Sequence, residues 1–148
     1  MSRPDRRRIY LRHSRQELGR TIDYLESRDD IDLDRLGWFG ESYGGQAMMP
    51  LLAVENRIRA AALAGGGIFL TDLPSAEQPY NYLPRVTQPV LMLNGRWDID
   101  LNLESQQRQL ELLGTPPDRK RHVLFEAGHG ALPHNQRPVR PRHDWEGP

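Results

Sequence analysis

Hydrophobic positions recur along this chain with two different periods, and the alternation between them predicts the order of its elements. Over residues 14–28, Leu18, Ile22 and Leu25 return on one face of a helix, the opposite face is charged, and Ser14 with Glu17 has capping-box spacing. The polar pair Asp29-Asp30 breaks that pattern. Arg35-Leu36-Gly37-Trp38-Phe39 then forms a short, mostly apolar run closed by glycine, as expected of a strand buried in a parallel sheet. Ala47 to Val54 has helical character with Pro50 in its early turns, and Ile58 to Ala64 is strand-like up to Gly65-Gly66-Gly67. A third strand, Val90-Leu91-Met92-Leu93, follows Pro89 and ends at Asn94-Gly95. Leu101 to Leu113 is amphipathic, with Leu103, Leu110 and Leu113 on one side and Gly114 and Pro116-Pro117 as stop signals. His122-Val123-Leu124-Phe125 is the fourth strand.

Strands alternating with helices predict an α/β fold: a parallel sheet of about four strands with flanking helices and right-handed crossovers. Thr71 to Pro84 is rich in Pro, Asn and Gln and is expected as a loop or a single helical turn over the sheet edge. Pro133, Pro138 and Pro141 prevent a regular helix across Pro133 to Pro148. The expected organisation is one domain over residues 1–132, with 1–11 as an N-terminal arm, followed by an irregular tail over 133–148.

Composition narrows the function classes. A chain of 148 residues suits one domain with its own core. Twenty basic and twenty acidic side chains cancel, so no global field gathers nucleic acid or an anionic membrane, and neither partner is expected. The absence of cysteine removes disulfides and thiol nucleophiles and is compatible with a reducing cytosol, so a cytoplasmic location is expected. Arg6-Arg7-Arg8 has no apolar run behind it, which supports neither a secretory nor a twin-arginine signal. No stretch approaches the ~20 apolar residues that span a bilayer. The histidines lack metal-ligand spacing, so neither metal nor cofactor is expected.

The candidate chemistry begins at Gly40-Glu41-Ser42-Tyr43-Gly44, a G-x-S-x-G pattern between a buried strand and a helix, where a nucleophile elbow belongs. A turn that tight calls for flanking glycines and holds its serine in a strained backbone conformation with the hydroxyl projecting. A serine hydroxyl attacks only when an imidazole takes its proton, and the imidazole needs an acid to fix its tautomer. His129, in Ala127-Gly128-His129-Gly130, follows the last strand, at the end of the sheet where such folds place their sites. Two other histidines compete: His122 lies within a strand and His134 among prolines. Asp98 lies just past the third strand, and Asp100 is its rival, one serving as the acid and the other capping the helix that begins near Leu101. The order Ser, Asp, His is that of α/β-hydrolases. Tyr43, Trp38 and Trp97 are candidate pocket or packing residues, and Glu41 is expected to face a neighbouring strand or solvent.

At these residues the chain resembles a known family. GESYGG at Gly40 to Gly45 is similar to the elbow of prolyl-oligopeptidase-like serine hydrolases of the α/β-hydrolase superfamily, and NGRWD and AGHG are similar to their acid and histidine loops. PVLMLNGRWD through LLGTPPDRKRHVLFEAGH further resembles hydrolase domains attached to some bacterial protein kinases. The resemblance covers residues 12 to 134 and only the second half of the fold, so it implies a truncated α/β-hydrolase, with Asp98 as the acid. It also implies an oxyanion hole whose first donor is the N–H of Tyr43, and whose second donor comes from the half without counterpart here. Tyr10 or a partner chain is a candidate substitute.

The function expected is a serine carboxylesterase that hydrolyses short-chain acyl esters through an acyl-enzyme on Ser42, acting on a small-molecule ester. A peptidase acting on short peptides is the nearest alternative within the same chemistry, and it demands a stronger oxyanion hole. The alternative from another class is an oligomeric half-fold or binding module with little activity, because the strand before Ser42 would form an unpaired, apolar sheet edge. That edge predicts a homodimer or larger homo-oligomer.

Overall fold

A computed structural model describes residues 3–46, 48–68 and 79–129. The chain opens with helix α1, Arg3–Glu26, which starts at Arg3 and not at residue 14. Pro4 sits in the first turn, where a missing N–H costs no hydrogen bond, and the Arg and Leu residues that follow are good helix formers. Residues of the expected N-terminal arm are therefore helical from Arg3 onward. Ser14 and Glu17 fall inside the helix, so their spacing is not that of a cap.

A one-turn 3₁₀ helix, Leu33–Arg35, is capped by Asp32, whose side chain accepts from the N–H of Asp34. It leads into strand β1, Gly37–Glu41. Two short helices follow, α2 at Tyr43–Gln46 and α3 at Met49–Leu52, in place of one helix over 47–54. Pro50 explains the break, because proline has no N–H to donate and its ring clashes with the carbonyl four residues back, so α3 starts afresh at Met49 with Pro50 in its first turn. Strand β2 is Ala60–Ala64, β3 is Val90–Gly95, helix α4 is Leu103–Leu112 and β4 is Lys120–Phe125. Between β2 and β3 the described part of the Pro-rich stretch holds two 3₁₀ turns, Pro79–Asn81 and Leu83–Arg85. Most of the predicted loop, and the whole 133–148 tail, lie outside the described residues.

The four strands form one parallel sheet in the order β1-β2-β3-β4. Register sets which side chains share a face. Trp38 pairs with Ala61 and Ala61 with Val90; Gly40 pairs with Leu63 and Leu63 with Met92. This face packs on Ile22 of α1, Met49 and Leu52 of α3, and Leu113 just after α4, forming the main core with Ile58, Leu83 and Val86. Strand alternation puts Phe39, Ala62 and Leu91 on the reverse face, where Phe39 is 58% exposed and Leu91 36%. Among the described residues no helix is long and apolar enough to cross a membrane.

Helix α4 departs from its expected pattern. The residues it buries are Ser105, Gln106 and Gln109, while Leu103 and Leu110 are only half-buried. Their donors are matched: Ser105 Oγ–H donates to Ile68 O (2.6 Å), Gln106 Nε2 to Gly95 O (3.0 Å) and Leu101 O (2.7 Å), and Gln109 Nε2 to Gly45 O (3.0 Å), while Oε1 of Gln106 and of Gln109 is buried with no hydrogen-bond partner among the described residues. The helix thus ties loops together by hydrogen bonds, while Leu110 packs against the core and Leu113 is buried in it as expected.

Leu63, fully buried at the centre of β2, should cost about 2–5 kcal/mol when truncated to alanine. Leu91→Ala, on the exposed face, should cost no more than about 1 kcal/mol. Urea unfolding of both variants checks this difference, and similar losses would mean that both sheet faces are equally buried.

Candidate active site

The site is assembled from three loops at the carboxyl ends of β1, β3 and β4. The first is the turn after β1. Ser42 has φ 51°, the only positive φ of a non-glycine residue among those described, a conformation that crowds Cβ against the backbone. Its N–H donates to Ala64 O (2.7 Å) and its carbonyl accepts from Gly45 N–H (3.0 Å), so neighbouring structure holds the strained residue on both sides. Gly40 is required: a Cβ there would drive into the carbonyl of Gly44. Gly44 is not, since a Cβ on it would meet nothing within 4 Å. The second glycine of the sequence motif is therefore sterically free, and only the first is forced by contact.

The second loop leaves β3 at Gly95, and the third leaves β4 at Phe125. They are stitched together by main-chain bonds, Arg96 N–H to Phe125 O (2.8 Å) and Trp97 N–H to Ala127 O (2.9 Å). Glu126 reinforces the seam by accepting from Arg96 Nε (2.8 Å) and from Trp97 Nε1 (3.0 Å). A Cβ on Gly95 would collide with the carbonyl of Gly128, so glycine is what lets the two loops approach this closely. Trp97, a candidate pocket residue, keeps 65% of its surface exposed.

These loops bring Ser42, His129 and Asp98 into one hydrogen-bonded row. The Asp98 side chain is fully buried. Its Oδ1 accepts from the backbone N–H groups of Asp100 and Leu101, each at 2.9 Å, and its Oδ2 lies 2.7 Å from His129 Nδ1. An ionised carboxylate offers no proton, so Nδ1 carries the hydrogen and Nε2 is left with a lone pair. Ser42 Oγ lies 2.7 Å from that Nε2 and donates to it. The His129 side chain is 32% exposed and Ser42 is half-buried. The arrangement can move a proton from Ser42 Oγ to His129 while Asp98 holds the ring.

The competing residues take no part in the row, although Asp100 lies beside it. Asp100 is exposed, and its backbone N–H bonds to Asp98. His122 stays in β4, where its Nε2–H donates to Asn94 Oδ1 (3.1 Å) while Asn94 Nδ2 donates to Gly66 O (2.6 Å). His134 lies outside the described residues. Trp38 is half-buried and its Nε1 donates to Gly44 O (3.3 Å), bracing the elbow. Tyr10 of α1 meets the Tyr43 ring edge to face, with centroids 5.9 Å apart. Asp98, Asp100 and His129 also offer one metal-ligand atom each within 4.8 Å of one another. Both Asp98 oxygens are already engaged, so a cation there would have to break the row.

Sequence reasoning missed Glu126, Gln106 and Gln109. Glu126, two positions before Gly128-His129, could have been suspected as a partner for Arg96. The two glutamines were hidden by the leucines around them.

No protein-family model matches the sequence, and none of the curated proteins is similar to it. Solved structures do match. A zinc-bound structure of a cold-adapted esterase from an Arctic intertidal metagenomic library is 26% identical, covering 80% of this chain and 50% of that one with a TM-score of 0.60. Est1E from Butyrivibrio proteoclasticus is 16% identical, with 84% and 64% covered and a TM-score of 0.66. The 2,6-dihydroxy-pseudo-oxynicotine hydrolase is 21% identical, with 78% and 40% covered and a TM-score of 0.65. The chain spans about half the length of the cold-adapted esterase it matches.

Two outcomes test this local physics. Ser42→Gly should be more stable than Ser42→Ala by about 1 kcal/mol, because both lack the hydroxyl and only glycine relieves the positive φ; equal urea midpoints would mean no strain. Burial holds the His122 imidazole below its ordinary value, so in the interval below about 6.5 the unfolded chain takes up a proton that the folded chain does not. Its contribution to stability is complete above that interval and is lost as pH falls through the folded value. The wild-type midpoint should therefore drop on acidification more steeply than that of His122→Gln.

Proposed function

We propose, from the premise that this chain has the α/β-hydrolase fold, that it is a serine carboxylesterase acting through an acyl-enzyme on Ser42. The observation that carries this reading is the continuous row from Ser42 Oγ through His129 to the buried Asp98 carboxylate, both links at 2.7 Å. His129 Nε2 takes the hydroxyl proton as Oγ attacks the ester carbonyl. Asp98 keeps the ring in the tautomer that can accept that proton and stabilises the imidazolium that results. His129 then returns the proton to the departing alkoxide, and water, activated by the same nitrogen, releases the acid.

Charge develops on the carbonyl oxygen during attack. We assign the N–H of Tyr43, the residue that follows Ser42 and opens α2, as one oxyanion donor. A single donor favours activated and short-chain esters over amides, because each missing donor costs on the order of 10²–10³ in turnover. The esterases among the similar structures support an ester as the substrate class.

A second reading, of a different class, is favoured by the position of β1 at the end of the strand order: the chain assembles as a homodimer or larger homo-oligomer and serves as a binding module with little turnover. Hydrolysis of a p-nitrophenyl acyl ester by the purified chain separates the two. Ser42→Ala should abolish turnover and Asp98→Asn should lower kcat by about 10⁴, as expected when the wrong tautomer is held. Equal rates in wild type and Ser42→Ala would overturn the catalytic reading and leave the assembly reading standing.

A further inference from the structure

The turn that ends β2, Gly65-Gly66-Gly67, is buried and lies among the supports of all three residues of the row. Just before it, Ala64 O accepts the N–H of Ser42 (2.7 Å). Gly65, with φ 57°, backs the imidazole: a Cβ on it would lie 3.1 Å from the carbonyl oxygen of His129 and 3.5 Å from the ring carbon Cε1. Gly66 backs the elbow, since a Cβ there would lie 2.8 Å from Gly45 O. Gly67 approaches Leu101, whose N–H holds Asp98. A displacement of this turn therefore moves the nucleophile and the base relative to each other.

One side chain grips the turn from the sheet. Asn94 is 0% exposed and shares with Met92, two residues before it, the face of β3 that meets the helical layer. A buried amide is tolerated only when its polar atoms are bonded. Asn94 Nδ2 donates to Gly66 O (2.6 Å), and Asn94 Oδ1 lies 3.1 Å from His122 Nε2. Gly66 O can only accept, so the NH2 of Asn94 must face it; the amide oxygen then faces His122, whose proton sits on Nε2. The amide is thus fixed at both ends, and so is the carbonyl it holds. We propose that Asn94 is a positioning residue for the hydrolase site: by holding Gly66 O it fixes the turn that spaces His129 from the Ser42 elbow. The inference rests on the acyl-enzyme reading for its kinetic consequence, and on the geometry of Ser42 and His129 alone for its spectroscopic one.

Two substitutions of similar shape remove the donor. Asn94→Asp sets a carboxylate oxygen against Gly66 O, and Asn94→Leu leaves that carbonyl buried without the amide. Neither change touches the substrate, so each should keep KM within about twofold and lower kcat for a p-nitrophenyl ester by about 10²-fold, the loss that a misplacement of ~1 Å at a reacting group brings. Thr115→Val is the control for lost stability: it removes a hydroxyl that is likewise buried and donates to Val86 O (3.2 Å) and Gln88 O (2.7 Å), ahead of β3 at the opposite end of the sheet. It should lower the urea midpoint and leave kcat unchanged. The second readout is the proton resonance of His129 Cε1–H, assigned by its absence from His129→Gln. It should shift in both Asn94 variants and stay in place in Thr115→Val. Gly65→Ala keeps Asn94 and its bonds but presses on His129 from the turn; it should show the same two effects, and it decides the matter if the Asn94 variants unfold. A resonance that stays in place in these variants overturns the inference, as does, where the wild type turns over, a kcat that falls no further than in Thr115→Val. A wild type no faster than Ser42→Ala, with a resonance that still shifts, overturns the hydrolase reading and leaves the positioning of His129 standing.

Discussion

A carboxylate without access to water must be surrounded by donors, and Asp98 is that carboxylate here. Removing an ionised group from solvent is costly unless its lone pairs are engaged. The loop after β3 is shaped to engage them: it folds back so that two consecutive-turn N–H groups, those of Asp100 and Leu101, point at Oδ1. That fold-back fixes where α4 can begin, and α4 in turn holds Gly95 and Gly45 through Gln106 and Gln109. The remaining oxygen is left for one donor, and His129 fills the vacancy. The position of the imidazole, the closeness of the β3 and β4 loops and the anchoring of the elbow all follow from satisfying one buried charge.

Most of the architecture was legible in the sequence because parallel strands buried on a helical layer are written as continuous apolar runs. Val90 to Leu93, set between Pro89 and Asn94-Gly95, shows this most plainly, while Ile58 to Ala64 is marked mainly by its stop at Gly65-Gly66-Gly67. The boundaries were less legible. A strand extends as far as its neighbour offers bonds, so β4 begins at Lys120 and β3 ends at Gly95, well into residues whose side chains suggest loop. Helix α1 is the largest departure. A polar, arginine-rich segment has no hydrophobic period to reveal it, and Ser14 and Glu17 imitated a start signal inside a helix already under way.

The candidate site shows the same division. Ser42, Asp98 and His129 were visible because each lies where a strand hands over to a loop, and the structure brings these three together while leaving Asp100 at the surface and His122 in its strand. What could not be read was the scaffolding between them. Gln106 and Gln109 act through side-chain amides reaching across to backbone carbonyls of distant loops, a contact with no local signature. Gly44 was misread for a related reason: a motif records which residues accompany a turn, whereas only the folded turn reveals that Gly40 alone is crowded by its opposite number.

The row of hydrogen bonds also joins residues that are far apart along the chain, Ser42 to His129 over 87 positions and His129 to Asp98 over 31. Closing loops of that length is entropically unfavourable until the intervening strands have docked. Because His129 follows β4 in the chain, Ser42 and His129 meet only where β1 and β4 belong to the same sheet. The row spans the sheet from its first strand to the loop after its last, so it depends on all four strands and is lost when β4 comes away.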